Sequence, residues 1–121
     1  MDNLKFEDLY IEIIEEKEKI KIIWNGESLN LHPSKEIDPY FKSIIKQLPK
    51  IKLIVIDFTH LKIMNSSTLP PILRFIKNLE NSNIKTNVLY DTSKSWQCAS
   101  FQPLSNITKN YKNIEVIPID K

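Results

Sequence analysis

Hydrophobic and polar positions alternate with a period of two near the start of the chain, as in strands with one buried face. In Lys19–Trp24, the side chains of Ile20, Ile22 and Trp24 share one face, and those of Lys19 and Lys21 share the other. Leu9–Ile14 is also strand-like, and the charged segment Glu15–Glu18 between the two runs contains no glycine. We therefore predict an antiparallel hairpin with a four-residue loop, followed by a turn at Asn25 and Gly26.

A helical period follows this hairpin. Asp38 can cap a helix, and Pro39 suits the first helical position, because the N–H that it lacks would have no partner there. Pro49 is predicted to end the helix. Between these signals, hydrophobic side chains recur at helical spacing: Tyr40, Phe41, Ile44, Ile45 and Leu48.

The middle of the chain predicts a strand, a polar loop and a second helix. Ile51–Phe58 is short and β-branched, which is typical of a central strand covered on both faces. Pro70 and Pro71 cannot donate a hydrogen bond, and each disfavours helical geometry in the residue before it. Thr68 is therefore the predicted N-cap, and the serines before it fall on a non-helical approach. The apolar stripe of the helix is Leu69, Ile72, Leu73, Ile76 and Leu79, with Phe75 beside it.

The last third predicts a strand over Ile84–Tyr90, a helix and a short strand over Ile114–Ile117. Ser93 or Ser95 can cap this helix, and Pro103 predicts a kink or two short helices. The order β-β-α-β-α-β-α-β predicts one α/β domain over residues 1–121. We expect a mixed, mostly parallel sheet of about five strands with an N-terminal β-hairpin and three to four helices.

Charge and composition narrow the classes of partner. The chain has 121 residues with a formal net charge of +2, and its basic residues are scattered lysines with Arg74 as the one arginine. A nucleic-acid binder usually concentrates its basic charge on one face, so we expect no nucleic-acid partner. The first residues resemble no signal peptide, and no apolar run reaches the length of a membrane span. We expect a cytoplasmic protein, either a monomer or a weak dimer.

Glycine, cysteine and histidine usage argues against a cofactor or a metal. Gly26 is the single glycine, so neither a P-loop nor a dinucleotide fingerprint can be built. Cys98 is alone, which excludes an intrachain disulfide and a zinc site made of cysteines. His32 has no second histidine or cysteine at ligand spacing.

The predicted loop before the second helix concentrates polar groups in Asn65, Ser66, Ser67 and Thr68. An N-cap accounts for one hydroxyl, but not for three hydroxyls and an amide in a row. A helix N-terminus also stabilises an anion, and a phosphoserine there would add roughly −1.5 to −2 charge at pH 7. With the prolines unable to donate, only the amides of Ser67, Thr68 and Leu69 remain to hold a phosphate. These residues are thus candidates for a switched contact surface.

The stretch IVIDFTHLKIMNSSTL resembles the signature of STAS domains, the anti-sigma factor antagonist family. The usual signature is a strand ending in Asp-Leu-Ser, a short run, and Met-Asp-Ser-Ser-Gly-Leu opening a helix. Asn65 stands in place of the motif aspartate and Thr68 in place of its glycine. Together with Ser95-Trp96-Gln97 and Ser100-Phe101, the loop is also similar to a bacterial STAS-like subgroup of small regulators.

The resemblance implies a STAS-like fold and a non-enzymatic role in bacterial signalling. Such antagonists bind an anti-sigma factor, a serine kinase, while they are unphosphorylated. The kinase phosphorylates the serine after the motif aspartate, the complex dissociates, and a phosphatase resets it. The matching residue is Ser66, with Ser67 as a possible substitute. The candidate partner-binding residues are Asn65, Ser66, Ser67, Thr68, Trp96 and Gln97.

Two other functions remain alternatives, and two more are disfavoured. Instead of a phosphorylation switch, the chain could be a constitutive interaction module in a larger complex. In that case the polar loop would only cap the helix. A small-ligand sensor would use Trp96, Gln97, Phe101 and Tyr111 as pocket walls. A receiver phosphorylated on Asp57 is disfavoured, because the acidic pair that would hold Mg²⁺ is missing. A catalytic group of Asp57, His60 and Ser66 is also disfavoured, since nothing in the sequence brings the three together.

Overall fold

The computed structural model describes residues 1–48 and 50–121. Its strands are β1 (Leu4–Phe6), β2 (Leu9–Glu16), β3 (Lys19–Ser28), β4 (Leu53–Asp57), β5 (Leu61–Met64), β6 (Lys85–Asp91) and β7 (Ile114–Ile119). Its helices are α1 (Ser34–Lys46), α2 (Leu69–Asn81) and α3 (Ser95–Ile107), with a 3₁₀ turn at Ser66–Thr68. No helix within these two ranges is long and apolar enough to cross a membrane.

The strands form one mixed sheet in the order β1-β2-β3-β4-β6-β7, with β5 paired to β3 beside this path. The pairs β1–β2 and β2–β3 are antiparallel, and all the other pairs are parallel. The predicted fold class is therefore confirmed. The strand count was too low, since the described part of the chain has seven strands in the sheet.

The core lies on one face of the sheet, where all three helices contribute buried side chains. Trp24 of β3 contacts Phe41 of α1 and Phe58, with ring centroids 5.9 and 5.1 Å apart. Phe41 stacks on Phe75 of α2 at 4.0 Å, and Phe58 stacks on Phe101 of α3 at 4.6 Å. These aromatic contacts join the three helices to the centre of the sheet, which fixes where the loops at the strand ends lie.

The other face of the sheet is half-exposed, so the prediction that β4 is covered on both faces was wrong. Ile54 and Ile56 are fully buried, whereas Leu53, Val55 and Asp57, which alternate with them, are only partly covered. Successive crossovers from β3 to β4, β6 and β7 advance in one direction along the sheet. Right-handed crossovers in one direction place their helices on the same face, which leaves the opposite face open.

The hairpin is tighter than predicted, and the turn at Gly26 does not occur. Glu16 pairs with Lys19, so only Lys17 and Glu18 form the loop, and Glu18 adopts a positive φ of 62°. β3 continues through Gly26, which has φ +84°, to Ser28. A Cβ at Gly26 would collide with the carbonyl oxygen of Asp8, which explains why glycine occupies this position.

Helix α1 begins earlier than predicted, at Ser34, and Pro39 lies inside it. The amide of Ile37 donates to the carbonyl of Pro33 at 2.9 Å, and burial of Ile37 stabilises this additional turn. Asp38 is not a cap, because it lies inside the helix, and its carboxylate pairs with Arg74 at 2.8 Å. The predicted stop at Pro49 lies outside the described residues.

Candidate functional site at the Asn65–Thr68 loop

The polar loop is tied to the sheet at its first residue. Met64 pairs with Ser28 of β3, and the amide of Asn65 donates to the Ser28 carbonyl at 2.9 Å. The chain then makes the 3₁₀ turn Ser66–Thr68, where we had predicted a non-helical approach. Thr68 is the N-cap of α2 by position, as predicted, although its side chain makes no capping hydrogen bond. Leu69 is helical despite preceding Pro70, with φ −64° and ψ −45°.

The side chain of Asn65 organises the loop. Its Nδ2 donates to the carbonyl of Asn30 at 2.9 Å, which links the loop to the segment after β3. Its Oδ1 accepts from the hydroxyls of Ser67 at 2.8 Å and Thr68 at 3.0 Å. An amide is needed here because one end of the group donates and the other accepts, and a carboxylate can only accept.

Thr68 is fully buried, so its predicted role as a partner contact was wrong. Its Oγ1 lies 2.8 Å from Oγ of Ser28, which is buried as well. This pair lies beneath the loop and joins the start of α2 to the end of β3. A hydroxyl placed this way stabilises the fold and cannot meet another protein.

The two candidate serines differ in their surroundings. Ser66 is exposed, and the hydrogen bonds that hold the loop do not involve its hydroxyl. Ser67 is half-buried, and its Oγ donates to the Asn30 carbonyl at 3.0 Å and to Asn65 Oδ1 at 2.8 Å. A group that must reach a serine hydroxyl from solvent would therefore reach Ser66 first.

Few backbone donors are free to hold an anion at this turn. The amide of Thr68 donates to the Asn65 carbonyl at 3.1 Å, and the amide of Leu69 donates to the Ser66 carbonyl. The expectation that both amides are available to a phosphate was therefore wrong. A phosphate on Ser66 would be largely solvated and would not be clamped by the start of the helix.

Gln97 was predicted as a partner contact, and the structure corrects this. Its side chain is fully buried. Its Nε2 donates to the carbonyls of Phe58 at 2.7 Å and Leu61 at 3.1 Å, and its Oε1 accepts from the amide of Asp91 at 2.7 Å. Gln97 therefore connects the ends of β4 and β6 to α3, and only the half-buried Trp96 of the predicted pair reaches the surface.

The buried face of α3 begins with a polar residue. Gln97, Phe101 and Leu104 are its buried residues, and the helix runs unbroken through Pro103 with Lys94, not Ser93 or Ser95, as its N-cap. These buried residues have helical spacing. The first of them is a glutamine, however, so the spacing of apolar residues alone does not reveal the buried face. Phe101 packs between Phe58 and Tyr90, so Gln97 and Phe101 are core residues and not walls of a ligand pocket.

A second polar cluster, which we did not predict, lies at the carboxyl ends of β4 and β6. Asp57 Oδ1 accepts from the amide of Thr59 at 2.8 Å and from its hydroxyl at 2.6 Å. Asp91 Oδ1 accepts in the same way from Ser93, at 2.9 and 2.7 Å. The hydrogen bonds of Ser93 lower the pKa of Asp91 below its ordinary value. The spacing of an aspartate two residues before a hydroxyl was the available signal for both turns.

Two lysines also converge on this cluster. Lys94 Nζ donates to the carbonyl of Thr59 at 2.7 Å, and Lys121 Nζ donates to its hydroxyl at 2.8 Å. His60 lies 3.8 Å from Asp57, while Ser66 lies in the separate 3₁₀ turn after Asn65. Within residues 1–48 and 50–121, no group of three or more histidine, cysteine, aspartate or glutamate side chains is arranged to hold a metal ion.

Comparison with known proteins identifies the fold through structure. No protein-family model matches the sequence, and the search of curated proteins finds no match either. An anti-sigma factor antagonist from Mycobacterium paratuberculosis superposes with a TM-score of 0.65 at 13% identity, over 96% of this chain and 92% of that one. The unphosphorylated anti-sigma factor antagonist SpoIIAA gives a TM-score of 0.52 at 24% identity, over 65% of this chain and 71% of that one.

A third structure, an uncharacterised protein of the DUF3478 family with a SpoIIAA-like fold from Shewanella loihica, superposes with a TM-score of 0.56. It shares 13% identity and is matched over 98% of this chain and 90% of its own. The resemblance noted in the sequence is thus confirmed at the level of architecture. The chain has the STAS-like fold that anti-sigma factor antagonists share.

Proposed function

We propose that this chain is a non-enzymatic bacterial signalling regulator that binds a protein partner through the surface around Asn65–Ser67. The partner class is an anti-sigma factor or a related serine kinase, and phosphorylation of Ser66 releases it. A phosphatase restores the binding form. One observation carries this proposal. The side chains of Asn65, Ser67 and Thr68 hold the loop in place, while the Ser66 hydroxyl is exposed.

Exposed apolar side chains next to the loop support a protein partner. Leu29 is 51% exposed, Leu31 is 77% exposed and Ile63 is 44% exposed. The first two flank Asn30, whose carbonyl accepts hydrogen bonds from the loop, and Ile63 is two residues before Asn65 in β5. Exposed apolar groups that are bordered by polar residues mark contact surfaces for other proteins.

The same arrangement explains how a phosphate would act as a switch. A dianion at Ser66 lies beside apolar groups that a partner must desolvate, and it finds few free amides to neutralise it. Binding would then bury charge without compensation, which is costly. The fold of this chain need not change, because the Ser66 hydroxyl takes no part in the side-chain hydrogen bonds that hold the loop.

The first experiment tests the covalent step. The protein is incubated with ATP and an extract of the bacterium that carries the gene, and its intact mass is measured for wild type, Ser66→Ala and Ser67→Ala. We expect one phosphate on wild type and on Ser67→Ala, and none on Ser66→Ala. A phosphate that persists in Ser66→Ala would show that a different residue is phosphorylated. The absence of any phosphate adduct would favour a constitutive interaction module.

The second experiment tests partner release. Wild type, Ser66→Asp and the control Ser105→Asp, which adds the same charge to an exposed position of α3, are used to capture partners from that extract. We expect one partner that wild type and Ser105→Asp retain and Ser66→Asp loses. Identical partner sets for all three proteins would contradict the switch, and would leave the constitutive module as the function.

A further inference from the structure

A groove of about 170 Å³ lies between α2 and α3. Leu73 and Ile76 of α2 form one wall, Leu104 and Ile107 of α3 form the other, and Tyr111 lies beyond the end of α3. Ile107 is 55% exposed although it is a large aliphatic residue. The groove therefore presents apolar surface to water that the fold itself does not cover.

The size of the groove limits its occupant to a small apolar body. A dry cavity of roughly 150 Å³ in a protein holds one benzene molecule. A groove of similar volume that is open on one side accommodates about six to eight carbon atoms, with one end of the molecule in solvent. A flexible aliphatic chain fits walls made of leucine and isoleucine, which have no directional groups.

The charges at the groove favour an anion. Arg74 and Lys77 are its charged lining residues, and the described lining includes no carboxylate. Arg74 is already neutralised by Asp38, with 2.8 Å between Nη2 and Oδ2. Lys77 is exposed and forms no ion pair within residues 1–48 and 50–121, so its ammonium group remains available to a ligand.

We propose that the groove between α2 and α3 binds a small amphipathic monoanion, a carboxylate on an aliphatic body of six to eight carbons. The body lies against Leu73 and Ile107, over the buried side chains of Ile76 and Leu104, and the carboxylate meets Lys77. This site is separate from the Asn65–Thr68 loop and does not depend on the proposed partner binding. It replaces the predicted aromatic pocket, of whose members only Tyr111 lines the groove.

The test is a methyl-NMR titration of the full chain at constant ionic strength, with octanoate and butyrate up to about 20 mM and with octan-1-ol up to its solubility limit, where the initial slopes of the shifts are compared. A ligand of this size binds in about the millimolar range. We expect saturable shifts of the Leu104 and Ile107 methyl signals with octanoate, and no saturation with butyrate. Octan-1-ol should bind roughly two- to fivefold more weakly, because it lacks the exposed ion pair with Lys77.

Variants separate the two parts of the site. Lys77→Gln should reduce octanoate binding to the level of octan-1-ol, whereas Lys35→Gln, the same change at an exposed position of α1, should not. Ile107→Gln should weaken both ligands, and it leaves the core intact because Ile107 is largely exposed. The proposal is overturned if octanoate shifts no groove methyl, if wild type binds the two eight-carbon ligands equally, or if the two lysine variants behave alike.

Discussion

Asn65 donates a hydrogen bond from its side-chain amide to the backbone carbonyl of Asn30 across 2.9 Å, although the two residues are 35 positions apart. The same carbonyl accepts the hydroxyl of Ser67 at 3.0 Å. The polar loop is therefore fastened to the segment that follows β3, and the exposed leucines of that segment are held beside it. This contact gives Asn65 a function that the aspartate of the STAS signature cannot perform.

Asn65→Asp should destabilise the protein by about 1–2 kcal/mol, because it removes the donor to Asn30 and places a carboxylate against a carbonyl oxygen. The hydroxyls of Ser67 and Thr68 still have an acceptor in the variant, which limits the loss. Urea denaturation followed by circular dichroism measures the change. Asn106→Asp at an exposed position of α3 is the matched control. Equal stability of the two variants would show that the Asn65–Asn30 contact contributes nothing.

Negative charge at the two serines should have different consequences for folding. Ser66→Asp should change the free energy of unfolding by less than about 0.5 kcal/mol, as is usual for an exposed site. Ser67→Asp should cost about 1–3 kcal/mol, because Ser67 loses its donor and faces the carbonyl of Asn30 and Oδ1 of Asn65. The reverse order of stability would mean that Ser67, not Ser66, is the accessible hydroxyl.

Gln97→Leu should lower the free energy of unfolding by about 3 kcal/mol. Leucine fills a similar volume but leaves the amide of Asp91 and the carbonyl of Phe58 without their buried partner. Gln102→Leu makes the same change at an exposed position of the same helix and should stay within about 0.5 kcal/mol of wild type. A similar effect of both substitutions would contradict a structural role for Gln97.

Periodic segments of the chain were predicted well, and short or long-range features were not. Helix α2 and the hairpin carry enough alternating positions to reveal their period. Strands β1 and β5 have three and four residues, too few to show one. Pro39 predicted a helix start because proline favours that position, but burial of Ile37, two residues earlier, stabilises a helix that begins at Ser34.

The residue types indicated the position of the candidate site in the sequence, but they did not reveal the role of each residue within it. The run of hydroxyls marked the loop, but the contact of Asn65 with Asn30 joins segments that no local pattern relates. The burial of Thr68 and Gln97 was also hidden, because a polar side chain in the core is possible only when specific partners satisfy it. Those partners come from other strands and are known only once the fold is known.

Acid should remove a contribution of Asp91 to stability. The hydroxyl and amide of Ser93 lower the pKa of Asp91 below its ordinary value of 3.8. A carboxylate whose pKa is lowered by folding stabilises the protein above its unfolded pKa, and this contribution disappears as the pH falls through the folded pKa.

Ser93→Ala should raise the pKa of Asp91 in a carboxyl NMR titration. It should also be less stable than wild type at pH 7, with a gap that shrinks below about pH 4. Ser95→Ala, two positions on and exposed, should show no pH-dependent gap. A gap for Ser93→Ala that is constant with pH would show that the hydroxyl does not act through the charge of Asp91.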